Sequence, residues 1–258
     1  MGIRDSYKHG VFSWVDLITR DRAAAKQFYT ELFGWTFQDM PVDDGSVYSM
    51  AFKGDRAAAA LFTMPDDTPL HWQAYINVTN LDETLQQWQT QGGSVEMPAC
   101  DIMDSGRMAM VKDPTGAYVG LWQAKDFTGA GVVNEVSTFC WAELQTRGAD
   151  KAAEFYQSVL GWDIEVEEQP PHYITGSVHG HLNCGMFDMD KAKLPPDIPS
   201  NWAVYFNVAD LDEALAVVNR MGGKVLMDPM DIDPGRFTTV MDPQGAVLTL
   251  MQVNNPDD

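Results

Sequence analysis

The stretch Phe12-Ser-Trp-Val-Asp-Leu-Ile-Thr-Arg20 returns later in the chain as Phe139-Cys-Trp-Ala-Glu-Leu-Gln-Thr-Arg147. The match continues in register. Phe28-Tyr29 and Gly34-Trp35 recur as Phe155-Tyr156 and Gly161-Trp162. Trp72, Tyr75, Asn77 and Leu81-Asp-Glu83 recur as Trp202, Tyr205, Asn207 and Leu211-Asp-Glu213. The pattern closes with Gly106-Arg107 and Asp113-Pro-Thr-Gly-Ala117, echoed by Gly235-Arg236 and Asp242-Pro-Gln-Gly-Ala246. So many matches at a nearly constant offset mark a tandem duplication, with one domain over 9–125 and a second over 134–253.

Within each half the periodicity defines the elements. Residues 11–17 alternate as a strand does, and 21–33 carry Ala24, Phe28 and Leu32 at helical spacing before Gly34, a residue suited to a left-handed cap. Strands follow near 35–40, 46–53 and 57–63. The order then restarts with a strand at 71–78, a helix at 81–91, and strands near 94–97, 107–112 and 117–123. Loops at Pro65–Pro69 and Pro195–Pro199 join the modules, and a glycine-containing segment from Lys125 to Val133 joins the domains. The expected class is α+β: two tandem domains, each of paired βαβββ modules forming a curved, cup-like mixed sheet with helices on its outer face.

Composition narrows the function. With 37 acidic against 17 basic residues the formal net charge is −20, a field that repels nucleic acid and anionic lipid. No apolar run reaches bilayer length. Three scattered cysteines argue against a disulfide framework and for a cytoplasmic setting. The expected partner is a small-molecule ligand, with no nucleic acid and no membrane. The chain is expected as a monomer, itself a pseudo-dimer, or as a homodimer.

Strand alternation assigns faces. Val15, Leu17, Trp72, Ala74, Ile76 and Val78 form the helix side. Opposite them stand Trp14, Asp16, Gln73, Tyr75, Asn77, Tyr118 and Trp122, with Trp141, Glu143, Tyr205 and Asn207 in the second half. Aromatic and polar groups mixed on one face suit a pocket that stacks on a ligand and orients it. An exposed or interdomain face has a similar composition.

The Phe-Tyr…Gly helix signature, the Val-x-x-Leu-Asp helix start and the Asp-Pro-x-Gly turn, in this order, resemble the vicinal oxygen chelate superfamily of glyoxalases, bleomycin resistance proteins and dioxygenases. The first strand and the Gly-Arg…Asp-Pro-x-Gly-Ala ending look closest to its two-domain glyoxalase-like or hydroxylase-labelled subgroup. The resemblance implies a cup holding the ligand. In metal-dependent members it also implies a divalent ion on the first, fifth and eighth strands. Those positions fall on Trp14, Gln73 and Gly120 in the first half, and on Trp141, Ala203 and Thr249 in the second. Too few of them carry a donor, so neither a metal nor another cofactor is expected.

The acids Asp16 and Glu143, each beside a tryptophan, are the candidate catalytic groups: an aromatic wall disfavours their charged forms and tunes them for proton transfer. They can equally serve as acceptors for neighbouring donors. Arg107 and Arg236 are placed either to hold an anionic ligand group or to pair with these acids. His179-Gly-His181 has zinc-compatible spacing but corresponds to a hairpin tip. The leading reading is a binder of a small hydrophobic or aromatic metabolite without a catalytic metal. The alternatives are a glyoxalase-, isomerase- or dioxygenase-like metalloenzyme with a displaced site near Asp16, Glu143 and His71, and a structural protein with filled cups.

Overall fold

The computed structural model describes residues 2–42, 45–64, 68–167 and 172–254; residues 65–67 of the first module-joining loop lie outside them. The first half runs β1 (Phe12–Thr19), α1 (Arg22–Phe33), β2 (Thr36–Pro41), β3 (Val47–Lys53) and β4 (Arg56–Thr63), then β5 (His71–Asn77), α2 (Leu81–Thr90), β6 (Ser94–Ile102), β7 (Gly106–Lys112) and β8 (Tyr118–Ala124). The second half repeats it with β9 (Phe139–Thr146), α3 (Ala149–Leu160), β10 (Asp163–Glu167), β11 (Tyr173–Val178) and β12 (His181–Asp188). It then continues through β13 (Asn201–Asn207), α4 (Leu211–Arg220), β14 (Lys224–Val225), β15 (Met230–Ile232), β16 (Gly235–Met241) and β17 (Val247–Val253).

The first sheet has the order β2-β3-β4-β1-β5-β8-β7-β6, and the second has β10-β11-β12-β9-β13-β17-β16-β14 with β15 on β16. Each module closes on a parallel pair, β1 with β4 and β5 with β8, and the two modules join where β1 meets β5 antiparallel. Two tandem α+β domains with mixed sheets are therefore observed, as the alternation predicted. The second copy splits the strand equivalent to β6 in two, at a segment containing Asp228-Pro229. The first copy accommodates its own Pro98 between bulges.

The helix ends follow their local chemistry. Asp21, Asn80 and Asp210 cap α1, α2 and α4 by accepting from the backbone three residues on. Gly34 and Gly161 end α1 and α3 in the left-handed conformation, at φ 71° and 68°.

The core explains which sequence matches recur. The helix-bearing faces of the two sheets pack against each other, α1 beside α4 and α2 beside α3, in one apolar layer. Trp72 meets Phe206 across the domains with ring centroids 4.8 Å apart, and Phe33 meets Phe206 at 5.0 Å. The duplicated Gly-Trp signature is part of this interface. Trp35 donates its indole N–H to the Ser137 carbonyl at 2.8 Å, and Trp162 donates to the equivalent Gly10 carbonyl at 2.8 Å. The Phe-Tyr and Asp-Pro-x-Gly signatures meet there too. Tyr29 donates to Asp242 Oδ2 at 3.0 Å and Tyr156 to Asp113 Oδ2 at 3.0 Å, while the other carboxylate oxygen of each aspartate accepts from its own turn. No helix among the described residues is long and apolar enough to cross a membrane.

Candidate functional site

With the helix faces buried together, the opposite face of each sheet carries the candidate residues. On it, β1 and β5 set Trp14 beside Tyr75 and Asp16 beside Gln73, and β5 and β8 set Tyr75 beside Gly120. The Asp16 carboxylate accepts from Tyr48 at 2.9 Å and from Tyr75 at 3.2 Å, and the Trp14 indole donates to the Tyr48 hydroxyl at 2.8 Å. The second domain repeats the constellation. Glu143 accepts from Tyr173 and from Tyr205, both at 2.9 Å, and Trp141 donates to Tyr173 at 3.2 Å. Gln145 adds a third donor to Glu143 at 3.2 Å.

Burial raises the Asp16 carboxyl to about 6, against the tyrosine hydrogen bonds and the charge of His71, which pull it down. Burial likewise raises Glu143, against the donors Gln145, Tyr173 and Tyr205. Both acids thus sit in tyrosine cages instead of facing a cation. Tyr48 and Tyr173, which complete the cages, are the residues the sequence reading missed. They occupy corresponding strands, but the first copy carries two more residues between the Gly-Trp signature and this tyrosine, so the equivalence is hidden.

The remaining candidates divide. Trp122 is in the cup region, its indole donating to the Phe127 carbonyl at 3.0 Å. Gln73 donates to its neighbour's carbonyl at Ala74 and contacts the His71 ring. Asn77 donates to the carbonyls of Tyr7 and Lys8 at 2.9 and 3.2 Å, so the chain's own N-terminal segment occupies its amide. Tyr118 does not join the stacking group. It is the first residue of β8 and 44% exposed, beneath the Lys112 ammonium at 4.3 Å. Nor do the arginines reach the acids. Arg107 forks onto Asp82 at 2.8 and 3.1 Å, and Arg236 binds Asp212 at 2.9 and 3.0 Å, each aspartate lying in the first turn of a helix.

The residues at the three family metal positions do not fit an ion. Trp14 and Trp141 offer only indole, and Ala203 offers no donor. A β-carbon at Gly120 would overlap the Tyr75 ring, so that glycine makes room for a tyrosine. Thr249 shares a 3.3 Å hydrogen bond with Thr239. The displaced alternative does not assemble either: among the described residues no three His, Cys, Asp or Glu side chains gather as a metal site. His179 and Gly180 form the turn of the β11–β12 hairpin, as the repeat predicted.

The two cups differ in what lies over them. Phe127, from the segment joining the domains, packs edge-on against Trp14 with centroids 4.8 Å apart. That segment is tied down over the first sheet by Ala130 N–H to Ser13 O, Gly131 N–H to Ala57 O, and Tyr7 Oη to Ala130 O. The second cup opens instead into a cleft of about 530 Å³ beside Trp141, walled by Phe139, Val178, Leu182 and the N-terminal segment.

The sequence profile of the Glyoxalase/Bleomycin resistance protein/Dioxygenase superfamily matches residues 11–121 and again 138–250. The chain belongs to this superfamily. It is 41% identical over 257 residues to “Putative glyoxylase CFP32” of Mycobacterium tuberculosis, covering 96% of this chain and 97% of that one. It is 28% identical over 259 residues to the anthracycline biosynthesis protein DnrV of Streptomyces peucetius, covering 95% and 94%. Among solved structures, the 2,3-dioxygenase LapB from Pseudomonas sp. KL28 aligns with a TM-score of 0.66 at 14% identity, over 98% of this chain and 96% of LapB. The Mn(II)-bound glyoxalase from Novosphingobium aromaticivorans aligns with 0.64 at 13%, over 95% and 83%. These two share the superfamily fold.

Proposed function

We propose that this superfamily member binds a small hydrophobic or aromatic metabolite in the second-domain cup without a catalytic metal. The observation that carries the reading is the pairing of two features: a cleft beside Trp141, and tyrosine-caged acids where an ion would need ligands. Trp141 furnishes aromatic surface and Asn207 a polar contact, while Tyr205 holds Glu143 behind them. In the first domain, Trp14 and Trp122 pack with the chain's own Phe127, and Tyr75 is committed to Asp16. Of the two acids, Asp16 is 7% exposed and Glu143 is half-buried. Glu143 stands behind Trp141 in its tyrosine cage and does not itself line the cleft. A relative named for anthracycline biosynthesis supports a planar ligand. Three free cysteines support a cytoplasmic setting.

Elemental analysis of protein purified without chelator, with a thermal-shift screen over metals and aromatic metabolites, tests this reading. A stabilising aromatic ligand and sub-stoichiometric metal are expected. Near-stoichiometric nickel, iron, zinc or manganese bound on a cup face overturns it in favour of a metal-dependent glyoxalase- or dioxygenase-like enzyme.

A further inference from the structure

The pseudo-symmetry of the two domains exposes one polar group that the chain itself does not satisfy. Asn77 and Asn207 occupy equivalent ends of β5 and β13. The Asn77 amide is held by the Tyr7 and Lys8 carbonyls. Asn207 is only 2% exposed and lines the cleft, yet its side chain makes no hydrogen bond among the described residues. Its amide atoms open onto the cleft instead of being sealed, so a donor held in place by the buried strand is available to a ligand oxygen.

The surroundings of Asn207 specify that partner's charge. The chain carries 37 acidic residues, yet none of the described residues lining this cleft is Asp or Glu. Arg4 and Lys8 line it from the N-terminal segment, and His181 faces it from the β11–β12 hairpin. The Lys8 ammonium forms no ion pair among the described residues. The segment that bears these cations is a fixed wall. Asn183 accepts from Phe12 N–H at 3.1 Å and donates to Gly10 O at 3.0 Å, and the Trp162 indole also donates to Gly10 O. Phe139 and Trp141 provide flat apolar surface beside it.

We propose that the cleft binds a small organic carboxylate with a planar apolar body, its oxygen taking at Asn207 the place that two backbone carbonyls take at Asn77. This rests on the small-molecule reading above and assigns the ligand's charge and acceptor. Asn207 Nδ2 donates to a carboxylate oxygen, Lys8 offsets the charge, and the ring lies against Trp141. In a chain of net charge −20, a cleft edged by Lys8 and lined by no Asp or Glu among the described residues is where an organic anion can approach.

Calorimetric titration of the full chain with 2-naphthoate and its uncharged isostere 2-naphthamide tests the assignment. Tryptophan fluorescence of wild type and Trp141→Phe locates the site. Naphthoate is expected to bind once per chain, about tenfold or more tighter than naphthamide, in line with a charge-assisted hydrogen bond. Asn207→Asp and the exposed Lys8→Glu are each expected to weaken naphthoate by about tenfold, and Lys8→Glu to weaken naphthamide by much less. Lys8→Glu keeps the test decisive should Asn207→Asp disturb folding. Equal affinity for the two probes, or indifference of naphthoate to Lys8→Glu, overturns the anion assignment and leaves the apolar cleft standing. Failure of both probes to bind beside Trp141 overturns the assignment together with the reading beneath it.

Discussion

Tyr29 of the first domain donates its hydroxyl hydrogen to Asp242 of the second, and accepts the indole N–H of Trp72 at 3.1 Å, at a site wholly removed from solvent. Tyr156, Asp113 and Trp202 mirror it. Replacing either tyrosine by phenylalanine strands a buried carboxylate oxygen and a buried indole N–H. Tyr29→Phe and Tyr156→Phe are each expected to cost about 1–3 kcal/mol in urea unfolding. Wild-type stability in both variants would remove these pairs from the account of what joins the domains.

Asp16 gives a pH dependence of definite sign. Its carboxyl is raised from 3.8 to about 6, chiefly by burial, so the folded state holds the proton more tightly than the unfolded chain. The stabilisation is complete below pH 3.8 and is lost as pH rises through about 6. At about 1.4 kcal/mol per unit this is up to about 3 kcal/mol. Asp16→Asn removes that slope, so its stability gains on wild type as pH rises from 4 to 7. Parallel stability–pH curves for the two proteins would contradict the buried-acid account. Glu143, raised for the same reason, acts in the same direction.

Two glycines make space for the tyrosine cages. A β-carbon at Gly185 would overlap the Tyr173 hydroxyl, and one at Gly120 the Tyr75 ring. Gly185→Ala and Gly120→Ala are expected to lose about 1–3 kcal/mol in thermal unfolding through overpacking. A changed near-UV signal should report the displaced ring. Unaltered melting of both variants would show that the cages tolerate displacement.

Phe127 fills the first cup. Phe127→Ala should destabilise by about 1–3 kcal/mol, less than for a fully enclosed ring because Phe127 is itself partly exposed. It should also open the face of Trp14 to collisional quenching by acrylamide. Unchanged quenching would mean that other residues of the joining segment seal the cup.

Much of this was legible in the chain. Alternation in β1 and β5 separated the helix side from the cup side correctly, because a two-residue period leaves each side chain one choice of face. The recurring Phe-Tyr, Gly-Trp and Asp-Pro-x-Gly signatures identified the superfamily. Their meaning was not legible, since Tyr29 and Asp242 meet only once two domains are docked. Tyr48 and Tyr173 escaped because an aromatic residue on a strand has no local mark of a hydrogen-bonded role. Of the two roles open to Arg107 and Arg236, pairing with the cup acids is not the one formed: Asp82 and Asp212 turn toward them from helix starts, which no local motif announces. The sealing of one cup by Phe127 depends on the path of the joining segment, which composition does not encode.

Joining the copies in one chain also changes what substitution can do. In a dimer of identical subunits every side chain appears twice, so a residue that plugged one cup would plug the other. Here a single phenylalanine between the copies packs onto Trp14 of the first cup, while the second borders a cleft. Covalent fusion thus released the two halves from obligatory equivalence: one is free to become a rigid support, and the other to keep open the concavity that both inherited.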